Sequence, residues 1–229
     1  MKQTNSSGKG KKQPDSGNES AVPLNEDNDV AEYHKPKTLE LLYEISEALS
    51  NVKNDFKDAL NHVTKQIATV IGDLCVVRLI SDDKKRLDEV AFFHPNKMIL
   101  RYVSDLYRDE TYYLKDGLAG EVFKTGKGRL IAEISPSEEA PPYKKEYARF
   151  ANNFGISSLV VVPLKAQTEV IGVISLIRNN SGNPYTETDQ KILQVIADNI
   201  ALVISNSNQY EEKLKETEAK KIAEDALKV

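Results

Sequence analysis

Two Val- and Ile-rich runs joined by a polar turn occupy residues 157–178, SSLVVVPLKAQTEVIGVISLIR. The pattern predicts a β-hairpin. In its second strand apolar residues fall on both parities, with Val170, Ile174 and Leu176 on one face and Ile171, Val173 and Ile177 on the other. A strand that is apolar on both sides is covered on both sides, so the hairpin is expected in the middle of a sheet with a layer above and below. Gly172 within that strand marks a close approach by a neighbouring element.

Helical periodicity precedes it. Leu39, Leu42, Ile45 and Leu49 share one side of an amphipathic helix starting at Thr38. A second helix, capped by Asn54 or Asp55, repeats Phe56, Ala59, Leu60, Val63, Ile67 and Val70 at three- and four-residue steps and ends at Gly72. Residues 73–80 (DLCVVRLI) read as a strand, 81–84 as a turn, and 87–93 as the hairpin partner. His94-Pro95-Asn96 breaks that strand, and no element is assigned to the tyrosine-dense stretch 94–116. A short helix is predicted over 117–125, a strand over 129–134, a loop over 135–142 and a helix over 144–154. After a polar loop, Pro184-Tyr185-Thr186 leads into a long final helix. The element order gives an α+β fold with a mostly antiparallel sheet and no internal repeat.

At 229 residues the chain holds one domain of roughly 150 residues plus tails. Residues 1–36 carry almost no aliphatic side chains, so they are read as a disordered tail. A net charge of −4 argues against general nucleic-acid binding, since no basic excess exists to neutralise phosphates. A single cysteine excludes an internal disulfide framework and a cysteine-based zinc site. No apolar run reaches the roughly 18 residues of a membrane span, and none follows the N-terminal lysines as a secretion signal would. A cytoplasmic protein with no membrane or nucleic-acid partner is expected.

Four pieces together resemble the GAF domain family: Gly117-Leu118-Ala119-Gly120-Glu121-Val122-Phe123, with Thr125-Gly126-Lys127 behind it; Ser158 to Leu164; Val170 to Leu176; and Tyr185-Thr186-Glu187-Thr188-Asp189. The resemblance places the domain over residues 37–210, with 211–229 as a C-terminal helical, coiled-coil linker. It implies a five- or six-stranded antiparallel sheet, N- and C-terminal helices on one face, and a loop-and-helix layer enclosing a small-molecule pocket on the other. It also implies sensing or regulation upstream of an effector such as a histidine kinase. Phe93, Tyr112, Tyr113, Phe123, Tyr143, Tyr147 and Phe154 are the aromatic candidates to line that pocket, or to serve as ordinary core.

Each chemistry known in such a family makes its own demand on the residues. Covalent bilin attachment needs a pocket cysteine, whereas Cys75 falls within the first strand. Free methionine sulfoxide reduction needs a second thiol to resolve the first, and Cys75 stands alone. Cyclic-nucleotide members often carry an Asn-Lys pair, a Phe and an Asp-Glu; here Asn179-Asn180, Tyr185 and Asp189-Gln190 stand in their place. Haem needs an axial ligand, for which only His94 is near the pocket layer, since His34 is in the tail and His62 reads as a surface residue. No catalytic or metal-ligating set is apparent. The cofactor, if any, is left unknown.

Along the final helix Leu193, Ile196, Ile200, Val203, Ser207, Tyr210 and Leu214 step at alternating three- and four-residue intervals. This is the seam of a coiled coil, and a parallel homodimer is expected through Leu193, Ile196, Ile200, Val203, Tyr210 and Leu214. The segment after Tyr210, EEKLKETEAKKIAEDALKV, is similar to linkers that join sensory domains to histidine kinases. Two rivals remain open: a scaffold whose pocket is filled by its own side chains, and a relative of the sulfoxide reductase.

Overall fold

The computed structural model describes residues 39–49, 56–71, 73–109, 111–115, 117–134, 144–179 and 182–226. The tail 1–36, the Asn54/Asp55 cap, Gly72 and Tyr143 lie outside them. Helix α1 covers 39–49, followed by α2 (Phe56–Val70), β1 (Leu74–Ile80), β2 (Leu87–Phe93), α3 (Lys97–Asp109), α4 (Gly117–Thr125), β3 (Arg129–Ile131), α5 (Lys144–Phe154), β4 (Ser158–Ala166), β5 (Glu169–Arg178) and α6 (Glu187–Ala226). The five strands form one sheet in the order β2-β1-β5-β4-β3. Every neighbouring pair is antiparallel.

β5 lies at the centre, as its two-sided apolar pattern requires. On one face Cys75, Val77, Val160, Val162, Ile174 and Leu176 pack with α1, α2 and α6; on the other Leu74, Val76, Leu159, Val161, Val173 and Ile177 pack with α3, α4 and α5. Gly172 is obligatory. A Cβ there would collide with the Arg78 carbonyl on β1 and press on Leu79 and Leu164.

Two irregularities of register change which residues share a face. Between Leu164 and Lys165 of β4 the pairing with β5 slips by one residue. Ile171 therefore packs toward the α1, α2 and α6 side with Ile174 and Leu176, not with Val173 and Ile177 as simple alternation predicts. A second slip lies opposite Val77 and Arg78, where β2 carries an extra residue. It sends Phe92 toward α3 and turns Phe93 to the opposite face. A bulge does this because two residues on one strand oppose one on the other.

The helices mostly follow their stripes. In α2, Leu60, Val63 and Ile67 are buried, while Val70 is exposed. In α1 the buried side is Leu41, Ile45 and Leu49, and Leu39 is 71% exposed, so the stripe is rotated from the expected one. The stretch without an assignment contains α3, whose Ile99, Val103 and Leu106 enter the core one turn apart. Asn96 caps it, its Oδ1 accepting from the amides of Met98 at 2.9 Å and Ile99 at 3.4 Å. At the start of α6, Thr186 and Asp189 exchange hydrogen bonds as a capping box, Asp189 N–H donating to Thr186 Oγ1 at 3.2 Å and Thr186 N–H to Asp189 Oδ2 at 2.8 Å.

α6 is a single helix of 40 residues. Leu193, Ile196 and Ile200, expected in a seam between two chains, are fully buried against the chain's own sheet, together with Ala197, Ala201 and Ile204. The three- and four-residue rhythm is the same for a stripe that packs on a sheet as for one that packs on a second helix. Val203 is half-buried in the same cluster, and the side chains of Tyr210 and Leu214 lie outside the described residues.

Candidate ligand-facing site

β1 alternates Leu74, Val76 and Arg78 toward the α3, α4 and α5 layer. Arg78 is thereby carried into the interior with no exposed surface at all. Burying an ionised guanidinium costs several kcal/mol unless its surroundings replace water. Here the bulge in β2 places Glu89 opposite it, with Arg78 Nε donating to Glu89 Oε1 at 3.1 Å. Nη1 donates to the Tyr147 hydroxyl at 3.3 Å. The guanidinium carbon stands 4.2 Å from the Tyr112 ring centre, 5.6 Å from that of Tyr107 and 5.7 Å from that of Tyr147. Cation–π contacts of this kind contribute roughly 0.5–2 kcal/mol each.

The cage draws on five separate segments: β1, β2, α3, residues 111–115 and α5. Its rings also brace each other, Tyr107 standing edge-on to Phe92 at 5.2 Å and to Tyr112 at 6.0 Å. Burial raises the Glu89 carboxyl above its ordinary range, and the Arg78 charge opposes that rise. Such a constellation can hold a polar or anionic group through the guanidinium, with phenol hydroxyls as further handles and flat rings to stack on. α4 closes the same layer by packing tightly beneath residues 111–115. A Cβ at Gly120 would run into the Leu114 carbonyl.

Of the expected aromatic residues, the structure brings Tyr112 and Tyr147 together at Arg78. Phe123 and Phe154 pack half-buried in the same layer, Phe154 against Phe150 and Tyr102. Tyr113 is 48% exposed and forms a bridge with Arg86. Phe93 lies on the far side of the sheet beneath Lys65. Arg78, Glu89 and Tyr107 were missed; the signal was a single basic residue inside an apolar strand whose hairpin partner carries the acidic pair Asp88-Glu89.

A second polar group gathers where β1, β2 and β5 end. Arg178 donates to the carbonyls of Ile71 and Asn183 and stacks 4.2 Å from the Tyr185 ring, tying the end of α2 to the approach to α6. Tyr185 is buried, which raises its phenol pKa, and its N–H donates to Ser158 Oγ at 2.9 Å. Asn179 N–H donates to Asp73 at 3.2 Å. His94 is buried nearby, its Nδ1 accepting from Asn96 N–H at 2.9 Å. Asn179, Tyr185 and Asp189, which stand where a cyclic-nucleotide motif would fall, are thus occupied with strand ends and the α6 cap. Cys75 is enclosed on the α2 and α6 side, where burial drives its thiol pKa far up. A cleft of about 310 Å³ lies by the β4–β5 turn and α6, lined by Gln167, Glu169, Ser205 and Gln209 among others, and shares no residue with the cage. Among the described residues no group of three His, Cys, Asp or Glu could hold a metal ion.

This sheet order with helices on both faces matches a known family along most of the chain. The family model described as GAF domain matches residues 53–205. The chain belongs to the GAF domain family. Solved GAF structures share its fold at low identity. The GAF domain of a phosphoenolpyruvate-protein phosphotransferase from Coxiella burnetii superposes with a TM-score of 0.60 at 16% identity, covering 77% of this chain and 97% of that one. The free methionine-R-sulfoxide reductase from Neisseria meningitidis, in complex with its substrate, gives 0.59 at 17% identity, covering 76% and 91%. Residues 122 to 287 of a methyl-accepting chemotaxis protein give 0.54 at 18%, covering 72% and 98%. GAF domains are sensory and regulatory modules of signalling proteins. In this one no helix among the described residues is long and apolar enough to cross a membrane.

Proposed function

We propose that this GAF domain is a non-catalytic sensory module of the cytoplasm, which receives a small molecule at the Arg78 cage and passes the result along α6 to a histidine kinase or another signalling effector. The observation that carries the reading is the continuity of α6. Its first half is core of the domain, buried at Leu193, Ile196, Ile200 and Ile204, and the same helix runs on to Ala226. A shift of the sheet is therefore transmitted to the far end without a joint. Coupling requires only that the bound molecule prefer one of two helix placements.

Dimerisation is part of the same proposal, with its contact moved. Since the chain's own core consumes Leu193, Ile196 and Ile200, the pairing surface is the opposite stripe of α6, where Val195 is 49% and Leu202 58% exposed, and the helix beyond Ile204 with Tyr210 and Leu214. The non-catalytic part is supported by the chain's one thiol, Cys75, which sits on the side of the sheet away from the cage.

Native mass spectrometry of the full chain purified from cells tests the sensing claim. A retained small molecule, lost in Arg78→Met, is the expected result. The rival reading, a scaffold whose pocket is filled by its own side chains, draws on the complete enclosure of Arg78 by Glu89 and tyrosine rings. A protein that always appears at the bare sequence mass would overturn sensing in its favour.

A further inference from the structure

We propose that His94 is a proton-sensitive catch on α3, the helix that covers the cage side of the sheet. The consequence for sensing rests on the reading of that face given above, whereas the catch itself stands on geometry at the strand ends.

His94 follows β2 directly and is 5% exposed. Its Nδ1 accepts from Asn96 N–H at 2.9 Å, so Nδ1 carries the lone pair and the neutral ring keeps its hydrogen on Nε2. The residue held in this way is the cap of α3. Asn96 Oδ1 accepts from the Met98 and Ile99 amides, and the Asn96 carbonyl accepts from Leu100 N–H at 2.9 Å. α3 in turn sets Ile99, Val103 and Leu106 into the core and Tyr107 against Phe92 and Arg78. One imidazole lone pair thus anchors the start of the helix that supplies a wall of the cage.

On its other side the ring meets two different elements. Asp73, on the chain entering β1, is the charged group that faces it, and the Asn179 side chain, on the chain leaving β5, stands beside it. Among the described residues neither His94 Nε2 nor Asn179 Oδ1 completes a hydrogen bond of ordinary geometry, although both are buried. Adding a proton puts an N–H on Nδ1, pointing at the N–H of Asn96. Two donors cannot bond to each other, so the anchor is lost, while the new positive charge is drawn toward Asp73 and the unused Asn179 oxygen. The ring turns, and the first turn of α3 is released.

Burial holds the His94 pKa below its ordinary 6.5, with Asp73, the Asn179 side chain and the Asn96 backbone all opposing, so the ring is neutral and the catch closed at neutral pH. For a histidine lowered by folding, the stabilisation is complete above 6.5 and is lost as pH falls from there through the folded-state value. Acidification is therefore the opening signal.

Hydrogen exchange on the full chain between about pH 7.5 and 5.5 reads the catch without reference to any ligand. The amides of Met98, Ile99 and Leu100 are compared with those of β4 at each pH, which removes the intrinsic pH dependence of exchange. The expected result is a relative loss of protection in α3 of about tenfold on acidification. His94→Asn, which offers an acceptor to the Asn96 amide but does not titrate, is expected to abolish that change. An equal response in both proteins, or none in the wild type, overturns the proposal. Should the variant not fold, nuclear magnetic resonance titration of the wild type decides. The His94 ring and the Asn96 amide must shift together at one midpoint below 6.5; separate midpoints sink the catch. Retention of a small molecule at Arg78 is not measured, so this test and the sensing test fail independently.

Discussion

Single residues decide where this sheet can close. Gly172 is the clearest case, because β1 passes so near that its Arg78 carbonyl occupies the space of a side chain. Gly172→Ala must push the two central strands apart, at a cost of about 1–3 kcal/mol. Chemical denaturation checks it: the midpoint falls while the slope is unchanged. An unchanged midpoint would mean that β1 and β5 separate easily at that point. The glycine was legible because a small residue inside an apolar strand has few other uses. Arg78 was not, since a basic residue in a strand is ordinarily read as pointing to solvent. Glu89 across the β2 bulge and the arrival of tyrosines from α3, residues 111–115 and α5 together make its burial tolerable.

At the scale of elements, periodicity served wherever one face of an element meets the core. The hairpin, α2, α4 and α5 lie where their patterns put them. α3 was hidden because its apolar positions are interleaved with tyrosines and charges, and its strongest cue is the Asn96 cap. Asn96→Ala is expected to cost about 1 kcal/mol. Exchange of the Met98 and Ile99 amides should rise while β4 amides stay protected, and a uniform rise across the chain would refute a local role for the cap. The two bulges explain the strand residues that fall on the unexpected face. Each inserts one residue, so every position beyond it changes face, as Ile171 and Phe93 do. Alternation along one strand carries no information about a count that depends on its partner.

For the molecule as a whole, the open question of assembly turns on α6. The proposed dimer predicts that the full chain sediments as a dimer and that truncation after Asn206 weakens association at least about tenfold, since the contact beyond Ile204 is removed. A monomer at high concentration in both forms would remove dimerisation from the reading and leave α6 as a lever within one chain. By itself the sequence determined the fold class, the central place of β5, the two covered faces and the family, because these follow from apolar periodicity and from short motifs in fixed order. The tertiary structure decided which side of each bulged strand faces the cage, that Arg78 and Glu89 meet inside it, and that the rhythm of α6 is first spent on its own sheet. Those outcomes depend on distances between segments far apart in the chain, which no local pattern encodes.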